Sequence, residues 1–165
     1  IVIEDILFKK LPLPSNVYKF KDGISLVGAF NIRAFGHKKL ENKNAMRIIV
    51  DILRKYDIVF CQEVHFDRIM VEKLVNMVSK SFEPYSYVIS CPIGPISKHS
   101  YKENYLYLYR SNEWKLLDNY IVENNKFIRE PYVVRFQYRK KPHIKITLIG
   151  CHTKPENAYR EIKAL

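Results

Sequence analysis

Asp57-Ile58-Val59-Phe60-Cys61-Gln62-Glu63-Val64 is an apolar run that closes on a carboxylate. Its residues are β-branched or aromatic in the main, which predicts a strand buried on both faces. Glu63 stands where that strand runs out. A buried strand of an α/β sheet holds its terminal side chains rigidly, and ligands gather beyond the carboxyl ends of such strands. The same layout recurs twice. Leu26-Val27-Gly28-Ala29-Phe30 runs into Asn31, and Ile144 to Cys151 runs into His152. Three strands closing on different polar residues would set an amide, a carboxylate and an imidazole at one sheet edge, which makes that edge a candidate site.

Around these strands the chain alternates. A first strand is expected from about Ile24 to Ile32, followed by a loop at Phe35-Gly36-His37-Lys38-Lys39. Met46, Ile49, Val50 and Leu53 form one apolar stripe of an amphipathic helix, so strand, helix, strand makes a βαβ-like unit. Val71, Leu74, Val75 and Val78 predict a second helix that ends before Pro84. The grammar then turns to β, with strands expected at Tyr85 to Ile89, Tyr105 to Tyr109, Trp114 to Val122, Pro131 to Tyr138 and His143 to Cys151. With no repeat or low-complexity segment, the expected architecture is α/β: a mixed β-sheet with helices packed on one face.

At 165 residues the chain is expected to be one domain with a real core. Apolar residues make up 47% and charged residues 27%, the balance of a globular and not a disordered protein. No apolar run approaches the length of a membrane span. Lys and Arg number 28 against 17 Asp and Glu, a net charge of +11 spread along the chain, so a phosphate-bearing polyanion is a plausible partner. Cys61, Cys91 and Cys151 have no CxxC spacing and read as small hydrophobes rather than a disulfide framework. Residues 1-23 form a lead-in broken by Pro12 and Pro14. The chain opens on Ile1 with no recognisable signal peptide and stops inside the helix-like run Glu156 to Leu165, so a segment of a longer protein is expected.

Ser100-Tyr101-Lys102-Glu103-Asn104 offers His152 a carboxylate partner. A carboxylate on one ring nitrogen fixes the tautomer and leaves the other nitrogen to carry a proton. In Arg129-Glu130-Pro131 the planar fork of Arg129 suits a phosphate. Tyr101 and Arg33 are placed to reach a nucleic-acid backbone. His37, His65, His99 and His143 lack metal-ligand spacing and read as surface or loop residues.

Taken together, Ala29-Phe30-Asn31-Ile32-Arg33 with Phe35-Gly36, Tyr56-Asp57-Ile58 through Gln62-Glu63-Val64, Ser100-Tyr101-Lys102-Glu103, Arg129-Glu130-Pro131 and His152 before Pro155 resemble the deoxyribonuclease I family. The wider endonuclease, exonuclease and phosphatase superfamily shares the Asn and the Gln-Glu strand end, whereas the Tyr-Lys-Glu and Arg-Glu-Pro segments are similar to the deoxyribonucleases themselves. The resemblance implies that residues 24-165 are the N-terminal half of such a domain, half of a two-sheet α/β sandwich. It implies a secreted hydrolase, an endonuclease that cleaves DNA phosphodiester bonds with little sequence preference and uses Mg2+ and Ca2+. Glu63, with Asn31, is then expected at the metal; Glu103 and His152 act as a catalytic pair; Arg33, Tyr101 and Arg129 bind DNA.

The departures from the family pattern are specific. His65 stands where the family commonly has a minor-groove arginine, residues are added around Pro95 to His99, and a small disulfide loop before Arg129 is missing. Cys91 replaces an acidic contact in the actin-binding strand, so actin is not an expected partner. The family's remaining catalytic Asp and second His segments belong beyond Leu165. The chain alone is therefore expected to be inactive, to need the other half of the domain, and to leave the inner face of its strands uncovered. Two other readings are an enzyme of the same superfamily acting on phosphoinositides, sphingomyelin or abasic DNA, and an inactive nucleic-acid-binding or interaction module.

Overall fold

A computed structural model describes residues 25–95, 102–124 and 126–165. The lead-in at 1-23 and Tyr101 lie outside the described residues. The elements follow in chain order as β1 (Val27–Phe35), α1 (His37–Glu41), α2 (Lys43–Leu53), β2 (Ile58–Val64), α3 (Arg68–Val78), β3 (Tyr85–Ile89), β4 (Asn104–Arg110), β5 (Trp114–Ile121), β6 (Tyr132–Tyr138), β7 (Lys145–Gly150) and α4 (Ala158–Ala164), the last preceded by a 3-10 turn at Pro155–Asn157.

The central run of the sequence is the central strand. β2 pairs in parallel with β1 and antiparallel with β4, and β3 closes the four-stranded order β1-β2-β4-β3. Its side chains alternate between two cores, as a strand buried on both faces requires. Val59 and Cys61 pack with the helices, whereas Ile58 and Phe60 face the other way. β4 divides likewise, with Leu106 and Leu108 toward the helices and Tyr105, Tyr107 and Tyr109 away from them. Burial pushes the Cys61 thiol far above its ordinary range, so it acts as a small hydrophobe.

The helices cover the first of these faces. In α2 the buried residues are Met46, Ile49, Val50 and Leu53, the stripe expected from the spacing. Asn42 caps this helix, its Oδ1 accepting the Ala45 N–H at 3.0 Å, and Asp67 caps α3 by accepting the Met70 N–H at 3.0 Å. The stripe of α3 is rotated from the expected one: Met70, Val71, Leu74 and Val78 are buried, and Val75 is only partly so.

Three expectations are corrected. The loop expected at 35–39 is the end of β1 followed by α1, a five-residue helix too short for any apolar period to reveal. The five later strands do not extend one sheet. β3 and β4 join the first sheet, while β5-β6-β7 form a second, antiparallel sheet stacked on it. The chain reverses after β4, where Arg139 donates from N to Glu113 O and from Nε to Ser111 O, both at 2.7 Å, so β5 lies over β4 instead of pairing with it.

The third correction concerns the inner face, which is covered within this chain. Phe60, Tyr107 and Tyr109 of the first sheet meet Trp114, Tyr132, Val134 and Phe136 of the second in one core. Ring centroids lie 5.0 Å apart for Phe60–Tyr107 and 5.1 Å apart for Tyr109–Phe136. Exposed apolar side chains are found instead on the outer side of the second sheet, at Tyr120 and Ile149 opposite the two sides of Val133.

Gly150, at the end of β7, lies directly against the Phe60 ring of the first sheet. A Cβ there would stand 2.3 Å from Cε2 and 2.6 Å from Cζ of the Phe60 ring. Both residues are buried, so the ring has no solvent to move into. Gly150→Ala is expected to destabilise the protein by about 1–3 kcal/mol, the scale of overpacking a filled core. A lower denaturant midpoint at unchanged slope would report it; an unchanged midpoint would show that Phe60 yields freely.

Candidate active site

Glu63 is held out of the sheet by irregularities on both sides. Between the pairs Asn31↔Gln62 and Phe35↔Val64, three β1 residues, Ile32, Arg33 and Ala34, stand against Glu63 alone. On the other side the β2–β4 register shifts between Cys61 and Val64. Bulges of this kind re-aim side chains. Among the described residues three non-glycines adopt left-handed backbone, Arg33 at φ 53°, Ala34 at φ 52° and Glu63 at φ 57°, and all three lie in this one region. Such conformations cost of order 1–3 kcal/mol each and persist where the surroundings over-determine them.

Those surroundings are specific hydrogen bonds. Asn31 Oδ1 accepts from Arg33 N at 2.7 Å, and Asn31 Nδ2 donates to Glu63 Oε1 at 2.7 Å. Ala34 N donates to Glu63 Oε2 at 3.0 Å. Lys39 of α1 reaches back with Nζ to the carbonyls of Ile32, at 2.6 Å, and Arg33. The turn therefore exists to present N–H groups to one carboxylate. Burial works against the Glu63 charge, but the bonds from Asn31 and Ala34, with favourable electrostatics from the nearby His152 and Arg129, outweigh it and hold the carboxyl below its ordinary range.

Glu103 lies one residue before β4, bridged antiparallel to Ile93. Its side chain is 8% exposed, and Oε1 lies 2.8 Å from His152 Nδ1 and 2.7 Å from Arg129 Nε. His152 follows β7 and is fixed at its backbone as well: its N–H donates to the Tyr105 hydroxyl at 2.6 Å and its carbonyl accepts from Arg129 Nη1 at 3.4 Å. Burial pushes the Tyr105 phenol well above its ordinary range, so it remains a neutral hydroxyl. With Nδ1 bonded to an oxygen that can only accept, the proton sits on Nδ1 and Nε2 is left to exchange one.

Glu63, Glu103 and Arg129 line one open cleft of about 400 Å³ together with Ala34 and His65. Asn31 touches Glu63, and His152 touches Glu103, so the four residues converge, but from two sheets and not from the edge of one, since His152 follows β7 of the second sheet. Arg33 is exposed on the left-handed turn, its backbone N–H bound by Asn31. His65, read from sequence as a surface or loop residue, lines the cleft, its N–H donating to Phe35 O at 2.9 Å. His37 Nε2 lies 3.5 Å from Asp67 Oδ2. Sequence reasoning missed Ala34, Lys39 and Tyr105. Ala34 acts through its backbone N–H and Lys39 through Nζ bonds to backbone carbonyls, contacts that no local pattern signals, and Tyr105 was one tyrosine among twelve. Among the described residues no group of three or more His, Cys, Asp or Glu side chains is placed to share a metal ion.

No family model matches the chain. Among known proteins, deoxyribonuclease-1 of Bos taurus is 38% identical over 154 residues, which cover 87% of this chain and 53% of the bovine protein. The Gallus gallus and Homo sapiens deoxyribonucleases-1 are 37% and 36% identical over 148 residues, 84% of this chain and 51% of theirs. The fold is that of an endonuclease/exonuclease/phosphatase from Bacteroides vulgatus, with a TM-score of 0.55 at 14% identity over 85% of this chain and 57% of that one. The human Nocturnin catalytic domain also matches at TM-score 0.55, with 15% identity over 81% of this chain and 51% of its own. In sequence the chain is similar to the deoxyribonucleases-1 and in fold to the endonuclease/exonuclease/phosphatase structures, and it spans about half the length of the curated relatives it matches.

Proposed function

We propose that this chain carries part of the active site of an endonuclease that hydrolyses DNA phosphodiester bonds with the help of a divalent metal. The observation that carries the reading is the His152 Nδ1–Glu103 Oε1 bond of 2.8 Å beside the same cleft that Glu63 lines. An imidazole oriented by a carboxylate is a proton carrier, and Glu103 leaves Nε2 of His152 to give or take a proton at a phosphate oxygen or its attacking water.

Glu63 fits a hard cation. Its oxygens each accept one N–H bond and each keep a lone pair, and its charge is retained by its surroundings. Mg2+ is commonly held by one or two carboxylates with water and substrate phosphate supplying the rest, which suits Glu63 with Asn31 beside it. When bound, such a cation stabilises charge that develops on the phosphate. Ca2+ takes six to eight oxygen ligands, some of them backbone carbonyls and water, and among the described residues no three His, Cys, Asp or Glu side chains are grouped to share an ion.

Arg33 and Tyr101 contact the DNA backbone in this reading, fixing register without reading sequence. The net charge of +11 suits the same partner. The site holds one histidine–carboxylate pair among the described residues, and an in-line displacement needs a proton both taken and given, so these residues by themselves do not turn over DNA. An extracellular site of action is proposed on the strength of the resemblance. No helix among the described residues is long and apolar enough to cross a membrane.

Supercoiled plasmid incubated with the full-length protein tests the activity. Nicking with Mg2+, abolished by a chelator and restored by added Mg2+, is the expected outcome. Intact plasmid alongside turnover of a phosphoinositide or sphingomyelin would replace this reading with another reaction of the superfamily.

A further inference from the structure

The sequence alone reads Arg129 as a residue that meets a phosphate. We propose instead that Arg129 is a positioning residue for the Glu103–His152 pair and acts on the reaction through it. The proposal rests on the reading of His152 as the proton carrier.

Arg129 closes a ring with the two residues of the pair. Its Nε shares Glu103 Oε1 with His152 Nδ1, at 2.7 and 2.8 Å, and its Nη1 donates to the His152 carbonyl at 3.4 Å. One planar fork thus touches the carboxylate that orients the imidazole and the backbone that carries it. The side chain is 27% exposed against 8% for Glu103, and both line the cleft, so the guanidinium bonds the more buried carboxylate beside it. A carboxylate this buried with a single imidazole partner would be poorly compensated whenever the imidazole is neutral; the guanidinium supplies a permanent counter-charge.

The ends of Arg129 are fixed independently of any ligand. Its carbonyl accepts from Cys151 Sγ at 3.9 Å, and the neighbouring Glu130 Oε2 accepts from Gly94 N at 3.1 Å. A guanidinium so committed by Nε and Nη1 is built to hold Glu103 in one rotamer. A DNA phosphate would be left only the N–H groups that these two bonds do not use.

A double-mutant cycle in the full-length protein separates the two roles, using Arg129→Gln, Glu103→Gln and the double variant. Arg129→Gln is expected to lower kcat by about tenfold or more with little change in KM, the scale seen when a residue that orients a working group is lost. The same change in the Glu103→Gln background should add less than about twofold, since residues acting as a unit are not additive. The salt dependence of DNA binding should keep its slope. A raised KM with the slope reduced by about one, and full additivity with Glu103→Gln, would assign Arg129 to the DNA and overturn the proposal.

A second measurement does not depend on activity. The ring 15N signals of His152 should move in Arg129→Gln in the same direction as in Glu103→Gln, because both loosen the Nδ1 bond. Unchanged ring signals in a folded Arg129→Gln protein would overturn the proposal even if the parent cleaves no DNA, and DNA cleavage failing with shifted signals would sink only the reading on which it rests. Should Arg129→Gln not fold, Arg129→Lys keeps the charge, loses the planar fork, and is expected to shift the same signals.

Discussion

His152→Ala is expected to lower the rate of plasmid cleavage at least about a hundredfold, the ordinary scale for losing a general acid or base. DNA affinity should be nearly unchanged. The imidazole lies at the end of β7 with one ring nitrogen bound to Glu103, so its removal takes away a proton carrier and leaves the turn at Glu63 untouched. The loss should therefore appear in kcat and not in KM. Single-turnover nicking and anisotropy of a labelled duplex measure the two separately. Parental cleavage by the variant would mean that the proton moves elsewhere and that the Glu103–His152 bond is structural.

Glu63→Gln is expected to cost roughly a hundredfold or more at a fixed Mg2+ concentration, the scale of removing one charge-stabilising group from a reacting phosphate. The substitution conserves shape and removes the anion. Two effects combine: a neutral amide is a poorer cation ligand, and one of its two atoms no longer accepts, so either Asn31 Nδ2 or Ala34 N loses its partner. With that bond gone the left-handed turn at Arg33 and Ala34 is held less firmly. Raising Mg2+ should recover part of the rate, and a titration followed by isothermal calorimetry should show weaker binding. Unaltered Mg2+ affinity with unaltered rate would remove Glu63 from the metal site.

Acidification should act on the same carboxylate. Its folded pKa is depressed, so the stabilisation it contributes is present above the unfolded value and is lost as pH falls through the folded one. Glu63→Gln should abolish that part of the acid dependence of stability.

What was legible in the sequence is what local period and composition control. The stripe Met46, Ile49, Val50 and Leu53 is the buried face of α2, and Ile58–Val64 is the strand at the centre of the fold, its apolar part buried on both faces. Tyr85 to Ile89 runs as expected because its turns and β-formers lie together in the chain. The polar residues that close these strands were legible too, since side chains at the ends of buried strands have few alternative positions.

The sequence by itself determined the βαβ start, the strands, the longer helices α2 and α3, and Asn31, Glu63, Glu103 and His152 as candidate residues. Only the tertiary structure decided that β5, β6 and β7 form a separate sheet, because whether a strand pairs beside its neighbour or stacks over it depends on the turn at 111–113 and on aromatic packing between sheets. It alone decided the left-handed backbone at Arg33, Ala34 and Glu63, which needs Asn31, Lys39 and the bulges to act together. It also decided that Arg129 and His152 meet on a single oxygen of Glu103, a contact between residues far apart in the chain that no local pattern encodes.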